Sequence, residues 1–283
     1  MNVDLHAPAG TGSVDRIAEH VWRIVAPNPS ALTGPGTNTY VVGDTDKIVL
    51  DPGPDDAAHL DRVLTVAGGR VGQILCTHSH TDHSPGAASL KAGTGATVRG
   101  LPAPDDRFQD ASYAPDRGLA DGEVIDAGGV AIRAVHTPGH ASNHVCFLIE
   151  ADRMLFTGDH LMSGSTVVIL PPDGSMRLYV ESLRHLLTLP IDVLAPGHGS
   201  VIARAHADIE RVIAHRLARE AKLVAALARR GTATLDDVLA EVYADTPVKL
   251  HALARHSLLA HAIKLHEDGR ASRRGEHWTW LGP

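Results

Sequence analysis

Four potential metal ligands stand within one short segment, and this segment constrains the fold more than any other feature of the chain. It runs from Thr77 to His83, directly after an apolar run, and contains His78, His80, Asp82 and His83. A buried core element could not satisfy so many polar groups internally. Imidazole and carboxylate groups are ligands that suit zinc and iron. Alternation would point His78 and His80 one way, and a turn would let Asp82 and His83 serve a second ion. We therefore predict a metal centre at the end of a strand.

Three further candidate ligands each follow a separate apolar run. His140 ends a Thr-Pro-Gly-His sequence, Asp159 ends Thr-Gly-Asp, and His198 lies in Pro-Gly-His-Gly. Strand ends that converge on one edge of a sandwich would bring these distant residues together. The adjoining glycines would let the backbone approach a metal closely. The sequence thus predicts that all these ligands meet at one edge.

Short strand patterns and a few helical patterns alternate up to about residue 194, separated by Gly and Pro clusters. Ser84 followed by Pro85 predicts a helix start, because serine caps free amides and proline suits the first turn. Helical spacing recurs over Tyr179–Leu187. This alternation predicts a layered α/β sandwich. The predicted strands are Val21–Val25, Thr39–Val42, Ile48–Leu50, Val71–Cys76, Val130–Val135, Val145–Ile149, Met154–Phe156 and Ile191–Leu194.

The last eighty or so residues have a different pattern. They predict helices over Ala203–Arg230, over Leu235–Tyr243 with Thr234 as its cap, and over Pro247–Glu267. The run Arg273–Trp280 alternates like a short β-ribbon. Three helices and a ribbon are the outline of a winged-helix domain.

The order His-x-His-x-Asp-His, followed by His, Asp and His, resembles the metallo-β-lactamase superfamily in its glyoxalase II-like ligand pattern. The resemblance implies an α/β protein, with a four-layer αβ/βα metallo-β-lactamase sandwich over residues 1–202 and a small winged-helix domain over residues 203–283. It also implies two zinc ions, with iron or manganese as alternatives. The implied ligands are His78, His80 and His140 for the first ion, Asp82, His83 and His198 for the second, and Asp159 as a bridge.

The same resemblance gives two carboxylates a role in the reaction. Asp51, in Leu-Asp-Pro-Gly, matches the family's first motif and is implied to orient the ligand loop. Two divalent ions, two ligand carboxylates and one bridging hydroxide carry a formal charge of about +1, which makes hydroxide available near neutral pH. That hydroxide would attack a carbonyl or phosphoryl centre, and Asp82 would orient it. Asp82 and Asp51 are therefore the candidate catalytic residues.

Further motifs resemble the lactamase-β-2-like proteins, which join such a core to a C-terminal winged helix. They are Thr37–Tyr40, Pro172–Met176, His215-Arg216 and Thr246–His261. An endoribonuclease acting on single-stranded RNA is known in that group. Three hypotheses follow: a binuclear zinc hydrolase of a small ester or thioester, the same site cleaving single-stranded RNA, and an iron-dependent persulfide or redox enzyme on this scaffold.

The remaining histidines carry plainer expectations. We expect a structural role for His136 and a packing role for His160, whereas His144 is open between a structural role and one beside the substrate or the ligands. Four histidines of the last predicted helix recur at five-residue steps and so do not share one face, which argues against a metal array. They are His251, His256, His261 and His266.

Charge and composition limit the partners and the location. The net charge is −7, with −10 over residues 1–200 and +3 over residues 201–283, a weak basic bias for nucleic-acid binding. No apolar run is long enough for a membrane span, and the N-terminus lacks the pattern of a secretory signal. Cys76 and Cys146 lie in apolar runs, as core thiols in a reducing compartment do. We expect a cytoplasmic protein with a small-molecule substrate; an oligomer stays open.

Overall fold

The computed structural model describes residues 10–282, which form two compact units. The first unit consists of residues 10–137, 143–166 and 187–206, and the second of residues 138–142, 167–186 and 207–282. The first nine residues, on which the signal-peptide prediction partly rests, lie outside the described part of the chain. The domain boundary after residue 202 stays a prediction, since the two units alternate along the chain.

The N-terminal half of the first unit forms a six-stranded sheet. Its strands follow chain order, and β4, β5 and β6 are parallel neighbours, whereas the earlier pairs are antiparallel. Two helices, α1 (Ala57–Ala67) and α2 (Gly86–Thr94), connect the parallel strands. The strands are β1 (Val14–Ala18), β2 (Val21–Val25), β3 (Asn38–Val42), β4 (Lys47–Leu50), β5 (Val71–Leu75) and β6 (Thr97–Arg99).

A five-stranded sheet completes the first unit, in the order β11-β10-β9-β8-β7. Only β10 and β11 pair in parallel; the other neighbours are antiparallel. The strands are β7 (Val124–Asp126), β8 (Ala131–His136), β9 (Val145–Ile149), β10 (Met154–Gly158) and β11 (Val193–Pro196).

Apolar side chains explain why these strands pack in layers. Strands β3, β9 and β10 are buried at every position, as expected of strands covered on both faces. One core cluster joins the two sheets, and within it the rings of Tyr40 and Phe156 lie 4.9 Å apart. A second cluster joins the six-stranded sheet to its helices through Ile74, Leu60 and Leu90. Polar residues are therefore found at the ends of the strands, beyond the apolar core.

The second unit contains helices and a small antiparallel sheet with the order β12-β14-β13. Thr234 and Asp237 form a capping box at the start of α5, which satisfies amides that the helix itself leaves free. Leu223, Leu258 and Trp278 belong to its apolar core. Its elements are α3 (Met176–Leu186), most of α4 (Ala205–Arg230), β12 (Thr232–Thr234), α5 (Leu235–Val242), α6 (His251–Glu267), β13 (Ala271–Arg274) and β14 (His277–Trp280).

The predicted strands and the C-terminal helices are found within a few residues of their expected bounds. The helix start at Ser84 was wrong in detail: α2 begins at Gly86, and Ser84 Oγ donates to Asp110 Oδ2 at 2.9 Å instead of capping the helix. Cys76 and Cys146 are buried free thiols, as predicted. Within residues 10–282, no helix combines the length and the apolar character that a membrane span requires.

Candidate metal centre

The candidate ligands of the first unit all follow strands at their carboxyl ends. Asp51 follows β4, the segment His78–His83 follows β5, Asp159 follows β10, and His198 follows β11. Because β4 and β5 are parallel neighbours, as are β10 and β11, these ends lie side by side. The carboxyl ends of parallel strands are a common place for ligand sites in α/β folds.

Asp51 fixes the ligand segment through three hydrogen bonds. Its Oδ1 accepts from the Thr77 amide at 2.7 Å, and its Oδ2 accepts from Thr77 Oγ1 at 2.8 Å. Oδ2 also accepts from His83 Nδ1 at 2.9 Å. Asp51 itself has φ 47°, a left-handed conformation that is uncommon outside glycine. The backbone is thus held in a rare conformation to aim one carboxylate at the ligand segment.

These contacts determine which nitrogen each imidazole presents. His83 Nδ1 must carry its proton to donate to Asp51, so Nε2 is left as the ligand atom. Thr77 Oγ1 uses its single proton on Asp51 and therefore accepts from His78 Nδ1 at 2.9 Å. His198 Nδ1 lies 3.3 Å from the Gly36 carbonyl oxygen, which can only accept. In three histidines Nδ1 is therefore engaged and Nε2 is presented to the cluster, an orientation that outer hydrogen bonds also give to histidines in metal sites.

The ligand atoms converge on two carboxylates. His198 Nε2 lies 3.2 Å from both Asp82 Oδ2 and Asp159 Oδ1. His83 Nε2 lies 3.4 Å from Asp159 Oδ1 and 3.6 Å from Asp82 Oδ2. His78 Nε2 lies 3.0 Å from His80 Nδ1. Carboxylates and imidazoles from three separate strand ends thus meet within a few ångströms.

The donor set fits a metal ion. Ligand atoms of His78, His83 and Asp159 lie within 4.8 Å of one another, and so do those of Asp82, His83 and His198. His83 Nε2 is buried and makes no hydrogen bond of good geometry within residues 10–282. A buried polar atom without a partner costs free energy, and a metal bond would remove that cost. Imidazole and carboxylate together are the ligands of zinc and other divalent transition metals.

Electrostatics favour positive charge at this place. Burial alone would lower the pKa of His83, but the carboxylates of Asp82, Asp159 and Asp51 outweigh it and raise that pKa well above its ordinary range. Burial likewise opposes protonation of His198, yet Asp159 raises the pKa of that imidazole to about 9. The same carboxylates that favour protonated imidazoles would favour a bound cation.

The carboxylates are held ionised by the same pairs. Burial acts to raise the pKa of Asp159, but His198 and His83 keep it well below its ordinary range. For Asp82, burial also raises the pKa, and His83 and His198 bring it below the ordinary value. Ionised carboxylates are the form that binds metals.

Gly197 lets the backbone come close to the ligands. A Cβ atom at this position would lie 2.7 Å from His83 Cε1 and 3.1 Å from Asp159 Oδ1. Neither atom belongs to a side chain that can move without disturbing the cluster. The glycine predicted beside His198 is thus needed for close approach, as proposed from the sequence.

His140 lies in the segment 138–142, which belongs to the second unit. Its Nδ1 donates to the Val168 carbonyl oxygen at 2.9 Å, so the backbone fixes the direction of the ring. Its membership of the first ion's ligand set stays a prediction.

Sequence reasoning missed Thr77, whose amide and hydroxyl both serve Asp51 and whose position directly before the ligand motif was the available signal. His144 hydrogen-bonds Thr137 Oγ1 at 2.9 Å, and its ring lies 5.1 Å from that of His78, which places it beside a ligand. His160 is buried, and its ring lies 5.7 Å from that of His144. His136 contacts the Leu119 carbonyl oxygen at 3.1 Å, as a structural histidine would.

Comparisons with known proteins show the family of the chain. The metallo-beta-lactamase superfamily profile matches residues 32–198, and the beta-lactamase associated winged helix domain profile matches residues 234–280. The chain is 32% identical over 273 residues to the beta-lactamase-like protein 2 homolog of Drosophila melanogaster, covering 91% of each chain. It is 33% identical over 251 residues to an atrochrysone carboxyl ACP thioesterase of Aspergillus chevalieri, covering 83% of this chain and 76% of that one.

A solved structure shows the same fold. A beta-lactamase domain protein from Burkholderia ambifaria superposes with a TM-score of 0.83 at 20% identity, over 99% of this chain and 97% of that chain. The two profile matches and the 32% identical relative confirm the family predicted from the ligand motifs and the tail motifs. The chain belongs to the metallo-β-lactamase superfamily, carries the winged helix domain associated with it, and is a metal-dependent hydrolase.

Proposed function

We propose that the protein is a binuclear zinc hydrolase that cleaves a small thioester or ester. The observation that carries the proposal is the meeting of two carboxylates, Asp82 and Asp159, with imidazoles whose Nδ1 atoms are already engaged. In the proposal, His78, His80 and His140 would hold the first ion, Asp82, His83 and His198 would hold the second, and Asp159 would be a ligand shared by both.

The bound ions would supply hydroxide near neutral pH and stabilise the oxyanion of the attacked group. The chain's own residues do the positioning. Asp82 is the more exposed of the two carboxylates, with 28% of its side chain accessible, so it is the one that a substrate and a nucleophilic water can reach. Asp159 is 13% accessible and is suited to a structural place between the ions. Asp51 positions the ligand segment through its hydrogen bonds to His83 and Thr77.

The substrate class rests on a relative. The Aspergillus chevalieri protein is named for the hydrolysis of a carboxyl ACP thioester, and the similarity spans most of both chains. A thioester carbonyl is a fit substrate for a site that stabilises an oxyanion. We therefore favour a thioester over a phosphodiester.

The charges of the second unit give little support to the RNA alternative. Four of its arginines form ion pairs within the unit, which leaves fewer cations to contact phosphates. The pairs are Arg219 with Asp245, Arg230 with Glu241, Arg255 with Asp236, and Arg270 with Glu220.

The test is metal content together with three activity assays, on a small acyl thioester of N-acetylcysteamine, on a labelled single-stranded RNA and on a persulfide. Wild type should hold about two zinc ions per chain and cleave the thioester, while Asp82→Asn should cleave it at least about 100-fold more slowly. Asp61→Asn, an exposed carboxylate on α1, is the matched control and should behave as wild type.

Other outcomes separate the alternatives. If the wild type cleaves RNA but not the thioester, and Asp82→Asn abolishes the RNA cleavage, the nuclease hypothesis would replace the thioester proposal. A single iron per chain with persulfide oxidation would overturn the hydrolase mechanism.

A further inference from the structure

The short segment that carries His140 is held by other parts of the second unit. Ser182 Oγ donates to the Pro138 carbonyl oxygen at 2.8 Å, and the Ser175 amide donates to the Gly139 carbonyl oxygen at 2.8 Å. Gly139 has φ 146°, and a Cβ atom there would lie 2.3 Å from Tyr179 Cα. The segment is therefore pressed against the start of α3 and has little freedom to move.

The side of the segment that faces residues 167–175 is fixed as well. His140 Nδ1 donates to the Val168 carbonyl oxygen at 2.9 Å, and the Ser142 amide donates to Asp173 Oδ2 at 3.0 Å. The direction of the His140 ring thus depends on where the backbone at Val168 lies. Asp173 and Ser175 belong to the Pro172–Met176 motif, which the metal chemistry by itself left unexplained.

Arg216 of α4 determines the place of that backbone. Its Nη2 donates to the carbonyl oxygen of Val167, the residue directly before Val168, and its guanidinium lies 5.2 Å from the centre of the Tyr179 ring. Arg216 is only 4% exposed. Within residues 10–282 it makes no ion pair, and its Nε has no hydrogen-bond partner.

A buried arginine without a carboxylate partner is costly, because the charge loses its hydration and gains no opposite charge. Packing alone would be served better by an apolar side chain of similar length. The contacts that remain, the Val167 carbonyl and the Tyr179 ring, both belong to the supports of the His140 segment.

We propose that Arg216 is a positioning residue for the metal centre: it fixes the backbone at Val167 and Val168, and this backbone in turn holds the His140 ring with Nε2 ready to ligate the first ion. The proposal rests on the proposed function, since it takes His140 as a ligand. It also gives a role to the His215-Arg216 motif that resembles the lactamase-β-2-like proteins.

The test compares zinc affinities of the full chain, measured by competition with a chelator, and the visible spectrum of the cobalt-substituted protein. The test variant is Arg216→Met, with Arg216→Lys as the conservative variant and His140→Ala as the reference for loss of the first ion. Arg219→Met is the matched control: Arg219 lies on the same helix, is 7% exposed, and contacts Val242, Asp245 and Tyr243 instead.

We expect Arg216→Met to bind one ion about 10–100-fold more weakly, the range found for outer partners of metal ligands. The weakened ion and the changed cobalt band should be those affected in His140→Ala, the second ion should keep its affinity, and Arg216→Lys should recover part of the loss. Arg219→Met should keep both affinities even where its melting temperature falls.

Wild-type affinity for both ions in Arg216→Met, or the same loss in Arg219→Met, would overturn the inference while leaving the binuclear proposal intact. Fewer than two ions on the wild type would instead contradict the binuclear proposal and this inference with it. If Arg216→Met does not fold, Asp173→Ala takes its place, because it removes the acceptor of the Ser142 amide and should weaken the same ion.

Discussion

Two histidines with no exposed side-chain surface, His83 in the metal cluster and His261 in the winged-helix region, have opposite electrostatic surroundings. Burial lowers the pKa of both. Around His83 the carboxylates of Asp82, Asp159 and Asp51 outweigh burial and raise its pKa. Around His261 burial outweighs the contact with Glu220 and lowers the pKa to about 4, and the charges of Arg216 and Lys264 also oppose protonation.

The difference shows what each region is built for. In the second unit, carboxylates and cations neutralise each other: Glu220 contacts both Lys264, at 3.0 Å, and Arg270, at 3.2 Å. In the metal cluster, Asp82 and Asp159 both lie beside the imidazoles of His83 and His198. The metal cluster thus offers its carboxylates to a cation, whereas the second unit balances its charges within its packed core.

The largest expected effect comes from removing part of that negative charge. Asp159→Asn should lower kcat/KM for the substrate by at least about 10³-fold and reduce bound zinc, because the carboxylate that faces both His83 and His198 is lost. Steady-state kinetics and metal analysis measure this. Asp245→Asn, a carboxylate paired with Arg219 and Lys222 in the balanced region, should change neither quantity. Equal losses in the two variants would break the comparison.

Acid should affect the winged-helix region through His261. Its folded-state pKa of about 4 lies below the ordinary 6.5, so between these pH values the unfolded chain binds a proton that the folded chain excludes. The free energy of unfolding should therefore fall as pH drops from 6.5 to 4, by at most about 3 kcal/mol. Amide hydrogen exchange along α6 measures it. His261→Leu should flatten this dependence, whereas His256→Leu, exposed on the same helix, should retain it.

Gly197→Ala should disturb the metal cluster by overpacking. The added Cβ atom would meet His83 at 2.7 Å, and forcing atoms into a packed site costs about 1–3 kcal/mol. Both the melting temperature and the zinc affinity should fall. Gly93→Ala is the control, since a Cβ atom there meets nothing within 4 Å and alanine favours the helix. A wild-type zinc affinity in Gly197→Ala would show that the cluster tolerates movement of His83.

Asp51→Asn should weaken zinc binding by about 10–100-fold without unfolding the protein, because His83 loses a charged acceptor but Thr77 keeps a polar one. Asp237 offers a close match in the second unit. It accepts from the amide and hydroxyl of Thr234 as Asp51 does from Thr77, but no histidine within residues 10–282 hydrogen-bonds to it. Asp237→Asn should therefore leave zinc affinity unchanged, as isothermal titration can show. A loss of zinc in that variant would refute the assigned role of the His83 contact.

Many of the strands and helices were predictable from local sequence patterns. Apolar runs such as Val145–Ile149 and Met154–Phe156 became strands, and Thr234 caps its helix as expected. Other elements were missed: α1 went unassigned although Asp56 caps it and Gly68 ends it in a left-handed conformation. The three-residue strands β6 and β7 have too few positions to show a period, so only pairing with neighbours defines them.

The candidate ligands, and the place of each at a strand end, were determined by the sequence alone, because polar groups packed so densely after apolar runs have no stable place in a core. The tertiary structure decided which of these residues contact one another. It brought Thr77 and His83 to one carboxylate oxygen of Asp51. It also placed Arg216 on the carbonyl of Val167, next to Val168, whose carbonyl accepts from His140. Hydrogen bonds of this kind join residues far apart in the chain, and their direction depends on the backbone geometry of the folded chain, which residue types and spacing do not encode.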